Sequence, residues 1–563
     1  MNSNQSIPCK ALSSLFICLL LVMAAVCSQA QTATGTFTNL TGSAGYPRDI
    51  RLAHQGQLPV PNAAANGWQI VSAGGIFKST DNAASFSLVT TVTPAAPAIL
   101  LCCATLYEVP QTVGSLSAGT LLWAASICTD NTDGQKCAAP ASSSPMAIYV
   151  YASVDQGQTW TRFGTPFTTL SQRVTGGVWE PEFAVDNAGE LVMFYSDSSQ
   201  YYPGTSSPGH NQMLMQVKNT TGTSTGWSTP QQTVASTDST YRPGMITVSK
   251  LPNNHWFMTY EFCIGSTDCT VYYRTSTDGW NYGTATNMGT AIQTTQGETL
   301  HHAPTNKWMA SPISSNGSII VTGQVMETSS GAISAFNGTK FFVNNAVDGA
   351  GPWYLIDAPV HIPGADGNIP CNNYSNSILP GGNGLSILEF AGQYTTYVSE
   401  TNHGPCSTVY NRDAWNTLPT DGSSYTFINQ AAPALCLDST GGVTVNGAAA
   451  EIETCTGSSE QLWTVHAQGS GYYTIQNNLT GLCLDNTGGS TTGTGVTLYG
   501  ATGCANNSGQ QWLFMDMANG TYKLQSKSSG TLNLSDPGAS TLNGTQVIVN
   551  TDNGYLQQQW AIN

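Results

Sequence analysis

Glutamate is scarce before residue 416: there are nine copies between residues 31 and 415. Two of them sit in apolar or aromatic company. One is Glu180, in Gly176-Gly177-Val178-Trp179-Glu180-Pro181-Glu182-Phe183, and the other is Glu261, in Trp256-Phe257-Met258-Thr259-Tyr260-Glu261-Phe262-Cys263. Cleaving a glycosidic bond usually takes two carboxyl groups about the anomeric carbon. One protonates the leaving oxygen, and the other attacks the carbon or activates water. Desolvation beside Trp179 and Pro181 is expected to raise the pKa of Glu180, which suits a general acid. An isolated glutamate in such a setting more often caps a strand or holds an arginine. The pair, set in a repeat architecture, points to catalysis, with Glu182 as the alternative to Glu180.

Other groups are expected around the pair. Bases are few, 16 Lys+Arg against 32 Asp+Glu, so Arg48, Arg51 and Arg242 near the candidate strands stand out. They would bind substrate hydroxyls or, equally, pair with buried acids to lock the fold. Trp179 and Tyr260 are the candidate aromatic contacts to substrate. His210, His301 and His302 are either at the pocket mouth or ordinary loop residues. A sialidase would need three arginines on one pocket and a Tyr–Glu nucleophile. Tyr260 beside Glu261 does not supply that, because adjacent strand residues face opposite ways. No contiguous metal or cofactor motif is legible, so neither is expected. The net charge of −16 repels nucleic acid and leaves neutral polymers as partners.

The elements that position these residues are short strands. Only 9% of residues are charged, and Gly, Ser, Thr and Asn abound, a composition suited to tight turns rather than long helices. Ser153-Val154-Asp155-Gln156-Gly157-Gln158-Thr159-Trp160 fits S-x-D-x-G-x-T-W completely, and Ser79-Thr80-Asp81 to Ser85-Phe86 keeps its skeleton. Weaker copies begin at Ser276 and Asn345, and a worn one lies between Val217 and Trp227. In this pattern Ser and Asp bond their own turn, Gly permits positive φ and the aromatic packs beneath. Recurrence at intervals of 57 to 74 residues predicts four-stranded propeller blades, and residues 31–415 have room for six. Phe183–Val185, Leu191–Tyr195, Ile246–Val248 and Trp256–Tyr260 read as strands. Glu180 and Glu261, 81 residues apart, then fall on neighbouring or next-neighbouring blades facing one axial pocket. The turn-rich stretch 416–424 is the expected linker.

Beyond it, Gln461-Leu462-Trp463, Gln510-Gln511-Trp512 and Gln558-Gln559-Trp560 recur at 49 and 48 residues. Leu435-Cys436-Leu437-Asp438 and Leu482-Cys483-Leu484-Asp485 precede the first two, and Leu532-Asn533-Leu534-Ser535 the third. Units this small cannot bury a core alone, so residues 425–563 are expected to close into a threefold assembly. The Q-x-W repeats resemble the ricin B-type β-trefoil lectin family over roughly residues 422–563. With that resemblance the expected fold class is all-β, a six-bladed propeller followed by a β-trefoil. That resemblance implies sugar-binding roles for Asp438 and Asp485, with Tyr499 as the aromatic platform, and an inactive third lobe at Ser535. The repeated Gln and Trp are expected mainly to build the fold.

In the first domain, the S-x-D boxes resemble those of sialidase-superfamily propellers, where the box is structural. Gly45-Tyr46-Pro47-Arg48-Asp49-Ile50-Arg51-Leu52, Trp179-Glu180-Pro181 with Phe194-Tyr195-Ser196-Asp197, and Tyr241-Arg242-Pro243-Gly244-Met245 through Thr259-Tyr260-Glu261 look like the exo-arabinanases of glycoside hydrolase family 93. The resemblance implies a retaining, exo-acting hydrolase of α-1,5-linked arabinan, with Glu180 as acid/base and Glu261 as nucleophile. The residues alone leave those two roles exchangeable, and leave a sialidase-like glycosidase and a non-catalytic two-domain lectin as alternatives. Retention expects carboxyl groups about 5–5.5 Å apart.

Residues 1–30 read as a secretion signal. Lys10 precedes an apolar run from Ala11 to Cys27, and Ser28-Gln29-Ala30 offers a cleavage site before Gln31. A membrane anchor is the other reading of that run. Of 15 cysteines, twelve follow it, eight before residue 407 and four after, as expected of disulfides made in export. Local pairs Cys128–Cys137, Cys263–Cys269, Cys371–Cys406, Cys436–Cys455 and Cys483–Cys504 are expected, with Cys102 and Cys103 left open. Sequons at Asn39, Asn316, Asn337 and Asn543 suggest glycosylation. The expected product is an extracellular monomer without membrane attachment, acting on arabinan or a related plant-wall polysaccharide.

Overall fold

The computed structural model describes residues 37–563 apart from 41–44, 133–136, 138–144, 169–176, 200–211, 239, 266–267, 312–313, 364–370, 382–384, 400–401, 416, 487–488, 490, 501–503, 506 and 518–519. The expected signal segment and His210 lie outside the described residues, as does Asn416 of the expected linker.

Six antiparallel sheets, five of four strands and one of six, succeed one another along the chain. Their inner strands are Arg48–Arg51, Ile99–Glu108, Val178–Val185, Tyr241–Lys250, Thr305–Ser311 and Ser377–Pro380, for blades 1 to 6. Each inner strand touches the next, and the sixth touches the first, so the ring closes. Closure uses the N-terminal strand Thr38–Leu40, which pairs with Cys406–Ala414 as the outermost strand of blade 6. The apolar residues of alternating strand positions fill the spaces between blades, as with Ala184, Phe194, Ile246, Met258 and Tyr260 between blades 3 and 4. Blade 4 is widened by Thr299–His301 and Val325–Glu327.

The S-x-D turns join the third and fourth strands of their blades. Asp155 Oδ1 accepts from Ser153 Oγ at 2.7 Å and from Thr159 N at 2.9 Å, and Gly157 N reaches Ser153 Oγ at 3.0 Å. The same pattern holds at Ser79/Asp81/Ser85 and Ser276/Asp278. Blades 3 and 5 substitute an asparagine: Asn219 Oδ1 accepts from Gly222 N at 2.9 Å, and Asn344 Oδ1 from Ala346 N at 2.8 Å. In an antiparallel blade these turns lie at the opposite end of the propeller from the starts of the inner strands.

The C-terminal sheet closes on three equivalent tryptophans. Trp463, Trp512 and Trp560 are wholly buried, and their indole N–H groups donate to Leu437 O, Leu484 O and Leu534 O at 3.0, 3.0 and 3.2 Å. Gln461, Gln510 and Gln558 are also buried, and each accepts from the backbone N–H five residues before it. The Gln and Trp of Q-x-W therefore build the trefoil.

The expected linker is part of the packing. Trp415 is buried with Leu513, Met515 and Met517 of the trefoil and Phe341 and Ile356 of blade 5. Its indole donates to Asp516 O at 2.8 Å, and Thr417 N donates to Asp516 Oδ2 at 2.9 Å. Leu418 packs on both cores. Phe336 of blade 5 meets Tyr555 of the third lobe at 5.2 Å between ring centroids. The two domains form one packed body rather than beads on a string.

Six disulfides are present: Cys102–Cys103, Cys128–Cys137, Cys263–Cys269, Cys371–Cys406, Cys436–Cys455 and Cys483–Cys504. All five expected pairs form, and the open question of the adjacent cysteines resolves as a bond between them. Such bonds belong to an oxidising compartment. Among the described residues no helix is long and apolar enough to cross a membrane. One sequon reading is corrected: Asn337 is buried, and its Oδ1 accepts from Met326 N at 2.9 Å, so a glycan cannot be carried there in the folded chain.

Candidate active site

In the first half of every inner strand, or just before it, the backbone turns through a left-handed residue that is not glycine. These are Tyr46, Cys103, Glu180, Met245, His302 with Ala303, and Asn373 with Ser375, at φ of 45 to 66°. Ladder register slips at three of them, between Cys102 and Thr105, Trp179 and Glu182, and Gly244 and Thr247. Each such residue costs about 1–3 kcal/mol, and clusters of them occur at functional sites. Here they form a ring around one mouth of the propeller axis.

Glu180 and Glu261 meet at this ring from neighbouring blades. Glu180 Oε2 accepts from Ser196 Oγ at 2.7 Å and from Met245 N at 3.1 Å. Glu261, on the second strand of blade 4, pairs with Gly244 across the ladder. A Cβ at Gly244 would stand 3.1 Å from Glu261 Oε1 and 2.5 Å from Gln212 Nε2. Two successive residues, Gly244 and Met245, thus line both carboxyl groups. Glu261 Oε2 accepts from Ala303 N at 2.8 Å, and Arg242 Nη2 stands 3.8 Å from Oε1.

Burial pushes the Glu180 carboxyl up to about 7, and the Glu261 charge adds to the rise. Ser196, Arg242 and Met245 N–H oppose it. Burial also raises Glu261, against the Ala303 N–H and Arg242, which favour its charged form. Arg242 is half exposed and so stands between the acid pair and solvent.

Arg48 is buried deeper on the axis. It donates to Ser375 Oγ at 2.8 Å, stacks 4.3 Å over the Tyr46 ring and lies 3.9 Å from Glu182 Oε2. Glu182 also accepts from Thr105 Oγ1 at 3.1 Å. It therefore shares the axis with Glu180 but is held by a cation, where Glu180 is held by neutral donors. Trp179 flanks the mouth: its ring packs on the core between blades 2 and 3, and its N–H donates to Ser198 Oγ at 3.2 Å.

Two expected substrate contacts are corrected. Arg51 lies three residues further along the inner strand, about 10 Å down the axis. Its guanidinium reaches Asn82 Oδ1 at 3.5 Å and Pro380 O at 3.3 Å, at the end that carries the S-x-D turns. Tyr260 has no exposed surface. It alternates with Glu261, so its ring fills the core between blades 3 and 4 and its hydroxyl donates to Met288 O. The three arginines consequently do not converge.

One aromatic near the pair, Tyr374, was passed over in the sequence. Tyr374 lies beside Tyr46, 6.2 Å between centroids, within the field of Glu180, Glu261 and Arg242. Only its place in the ring, just before blade 6, reveals it. His302 lies near Arg242, and burial and that positive neighbour keep its pKa down. His301 is buried beside Asp268 and Glu327 and away from the acid pair.

In the trefoil, Asp438 and Asp485 are buried at matching positions, while Tyr499 is half-buried opposite Cys483. Gly509 faces two acceptors: a Cβ there would stand 3.0 Å from Asp485 Oδ1 and 3.2 Å from Asn507 Oδ1. Asn507, three residues before Gln510, is a polar group that sequence reading overlooked. Ser535 is buried, and the third-lobe carboxyl falls one residue later at Asp536.

The C-terminal part matches the family described as ricin-type beta-trefoil lectin domain-like, over residues 411–499 and 508–563. No curated protein matches the chain in sequence. Among solved structures, the chain is similar to the glycoside hydrolase family 93 α-L-arabinofuranosidase of Fusarium graminearum in complex with arabinobiose. That similarity has 21% identity over 68% of this chain and 98% of that one, with a TM-score of 0.50. The α-L-arabinanase of Penicillium chrysogenum complexed with arabinobiose aligns at 24% identity over 68% and 97%, with a TM-score of 0.49. The chain thus joins a propeller of the fold seen in the Fusarium arabinofuranosidase to a domain that matches the ricin-type trefoil family.

Proposed function

We propose that this chain is a secreted retaining glycoside hydrolase that releases short arabinose units from the ends of α-1,5-linked arabinan, with the trefoil as its carbohydrate-binding module. One observation carries the reading. Two carboxyl groups share the axial mouth: Glu180 is raised to about 7 by burial and the charge of Glu261, while Glu261, itself raised by burial, accepts from Ala303 N and faces Arg242. A carboxyl that holds its proton near neutral pH beside a second one supplied with a donor and a cation suits the acid and the nucleophile of a glycosidase.

In the proposed reaction Glu180 gives its proton to the glycosidic oxygen as the C1–O bond breaks. A carboxylate oxygen of Glu261 attacks C1 and forms a glycosyl ester. Glu180, now ionised, takes a proton from water as its oxygen attacks C1 and frees Glu261. Arg242 and the Ala303 N–H hold Glu261 in place and stabilise its charge in each free state. Support for arabinan comes from the shared fold of the Fusarium arabinofuranosidase. A sialidase clamp lacks support, because Arg51 lies at the far end of its strand. In the trefoil, Asp438 and Asp485 would accept sugar hydroxyls, with Tyr499 and Asn507 beside the second.

The test is turnover of debranched arabinan and aryl α-L-arabinofuranosides by the wild type, Glu180→Gln and Glu261→Gln, with sialyllactose as the control substrate. Each substitution should lower kcat by about 10²-fold or more, and NMR of the first product should show retained configuration. Near-wild-type turnover by either variant, or no turnover by the wild type on arabinan, overturns the reading.

A further inference from the structure

The Cys102–Cys103 bond joins adjacent residues, whereas the other five bridges span 6 to 35 residues. A disulfide stabilises a fold mainly by closing a loop of the unfolded chain, and more so for longer loops. A bond between neighbours closes none. Its place in the fold suggests another use.

Thr105 of blade 2 donates to Glu182 of blade 3 at 3.1 Å, so those residues are level across the two inner strands. Two residues toward the mouth on each strand bring Cys103 level with Glu180. Both carry left-handed backbone, at φ 66° and 56°. On the other side of blade 2, the ring position belongs to Tyr46, which lies within the field of Glu180 and Glu182. By blade order the bridge takes the ring position between Tyr46 and the proposed acid. Leu101 packs on the core between blades 2 and 3, and Cys102 and Cys103 are half-buried. Ile99 and Leu100, next along the same strand, are 36% and 42% exposed.

We propose that the Cys102–Cys103 bridge is a sugar-binding wall, against which the C–H face of the substrate's terminal sugar ring packs beside Glu180. The assignment rests on the glycosidase reading above. Oxidised sulfurs donate no hydrogen bond and do not titrate, and the small ring formed with the intervening peptide cannot swing aside as a long side chain can. The wall thus offers contact area without competing for hydroxyls, which Tyr46, Arg242 and the carboxyl groups would bind. It also keeps water from one side of Glu180, in line with the burial that raises its pKa.

The test compares wild type with Cys102→Ala/Cys103→Ala on an aryl α-L-arabinofuranoside and on debranched arabinan. KM should rise about tenfold, with kcat changed by less, and arabinobiose should inhibit about tenfold more weakly. As a second route that needs no refolding of a variant, wild type is reduced mildly and alkylated, with mass spectrometry locating the opened bridge. Each of the other five bridges has at least one buried cysteine, so Cys102–Cys103 should open first and KM should rise as in the variant. An active wild type whose KM and arabinobiose inhibition stay within twofold after both treatments overturns the wall. A wild type that neither turns over arabinan nor binds arabinobiose overturns the glycosidase reading itself, and the wall with it.

Discussion

Ser196→Ala is the sharpest test of how Glu180 is tuned. The Ser196 hydroxyl donates to Glu180 Oε2 at 2.7 Å, a bond made to the ionised carboxyl. Donors to a carboxylate favour its charged form, so removing one must raise the pKa. A hydrogen bond to a charged group contributes about 1.5–3 kcal/mol. Met245 N–H, now shared between Glu180 Oε2 at 3.1 Å and Ser196 Oγ at 3.2 Å, becomes wholly available to the carboxyl. That compensation favours the low end of the range, equivalent to about one pH unit. An acid must be protonated to act, so activity is present below the Glu180 pKa and lost as pH rises through it. The alkaline limb of kcat/KM, which reports the free enzyme, should lie near 7 in the wild type, where burial sets Glu180. It should move to about 8 in Ser196→Ala, with rates near pH 5 changed only a few fold. The assay is initial-rate hydrolysis of an aryl α-L-arabinofuranoside from pH 4 to 9. A limb that stays in place, or moves to lower pH, refutes the claim that this hydroxyl tunes the acid.

Four further outcomes are expected. Asp49, Asp536, Glu180 and Glu389 are raised by burial to about 6, 6, 7 and 8, above their unfolded values of 3.8 and 4.5. The native chain therefore holds more protons than the unfolded one between about pH 4 and 8. Stability is greatest at the acid end of that window and falls as pH rises, so Tm in calorimetry should be higher at pH 5 than at pH 8. Gly244→Ala places a methyl 2.5 Å from Gln212 Nε2 and 3.1 Å from Glu261 Oε1. Displacing that carboxyl by about 1 Å should cost about 10²-fold in kcat, with circular dichroism unchanged. Trp415→Ala removes a wholly buried indole and its bond to Asp516 O, a loss of about 3–5 kcal/mol. Calorimetry should show one transition for the wild type and two for the variant. Asp438→Ala with Asp485→Ala should weaken retention on arabinan in pull-down, while rates on a soluble aryl glycoside stay the same.

Much of the fold was legible because its repeats are local. Ser, Asp, Gly and an aromatic at fixed spacing make a self-bonded turn, and one such turn or its worn copy in each of blades 1 to 5 is a ruler along the chain. Blades 3 and 5 read faintly because Asn219 and Asn344 do the anchoring that serine does elsewhere. Ring closure by Thr38–Leu40 was not legible, since nothing in three residues records a partner some 370 positions away. The acid pair could be found because buried glutamate is costly and needs a reason. Arg51 and Tyr260 misled for a geometric reason. Proximity in sequence to Arg48 and Glu261 says nothing about depth along the axis or which face of the sheet is taken. The stretch 416–424 has a linker's composition, yet Trp415, Thr417 and Leu418 anchor it.

One position in the trefoil differs between the lobes in what it touches. Three residues before each repeated Gln stand Ser458, Asn507 and Tyr555. In the second lobe Asn507 shares the approach to Gly509 with Asp485, where the proposed sugar pocket lies. In the third lobe Tyr555 instead packs on Phe336 of blade 5, and a Cβ on its neighbour Gly554 would stand 3.0 Å from that same ring. Thr295 of the propeller donates to Asp552 O at 3.2 Å, two residues earlier. Asp552 itself holds the buried Lys523 at 2.5 Å, near where the first two lobes carry a disulfide. The third lobe thus has an ion pair where the other two have a bridge, and the loop before its Gln packs on the propeller. Ser535, at the position of Asp438 and Asp485, belongs to that same lobe, so the lobe that contacts blade 5 is also the one that lacks the aspartate.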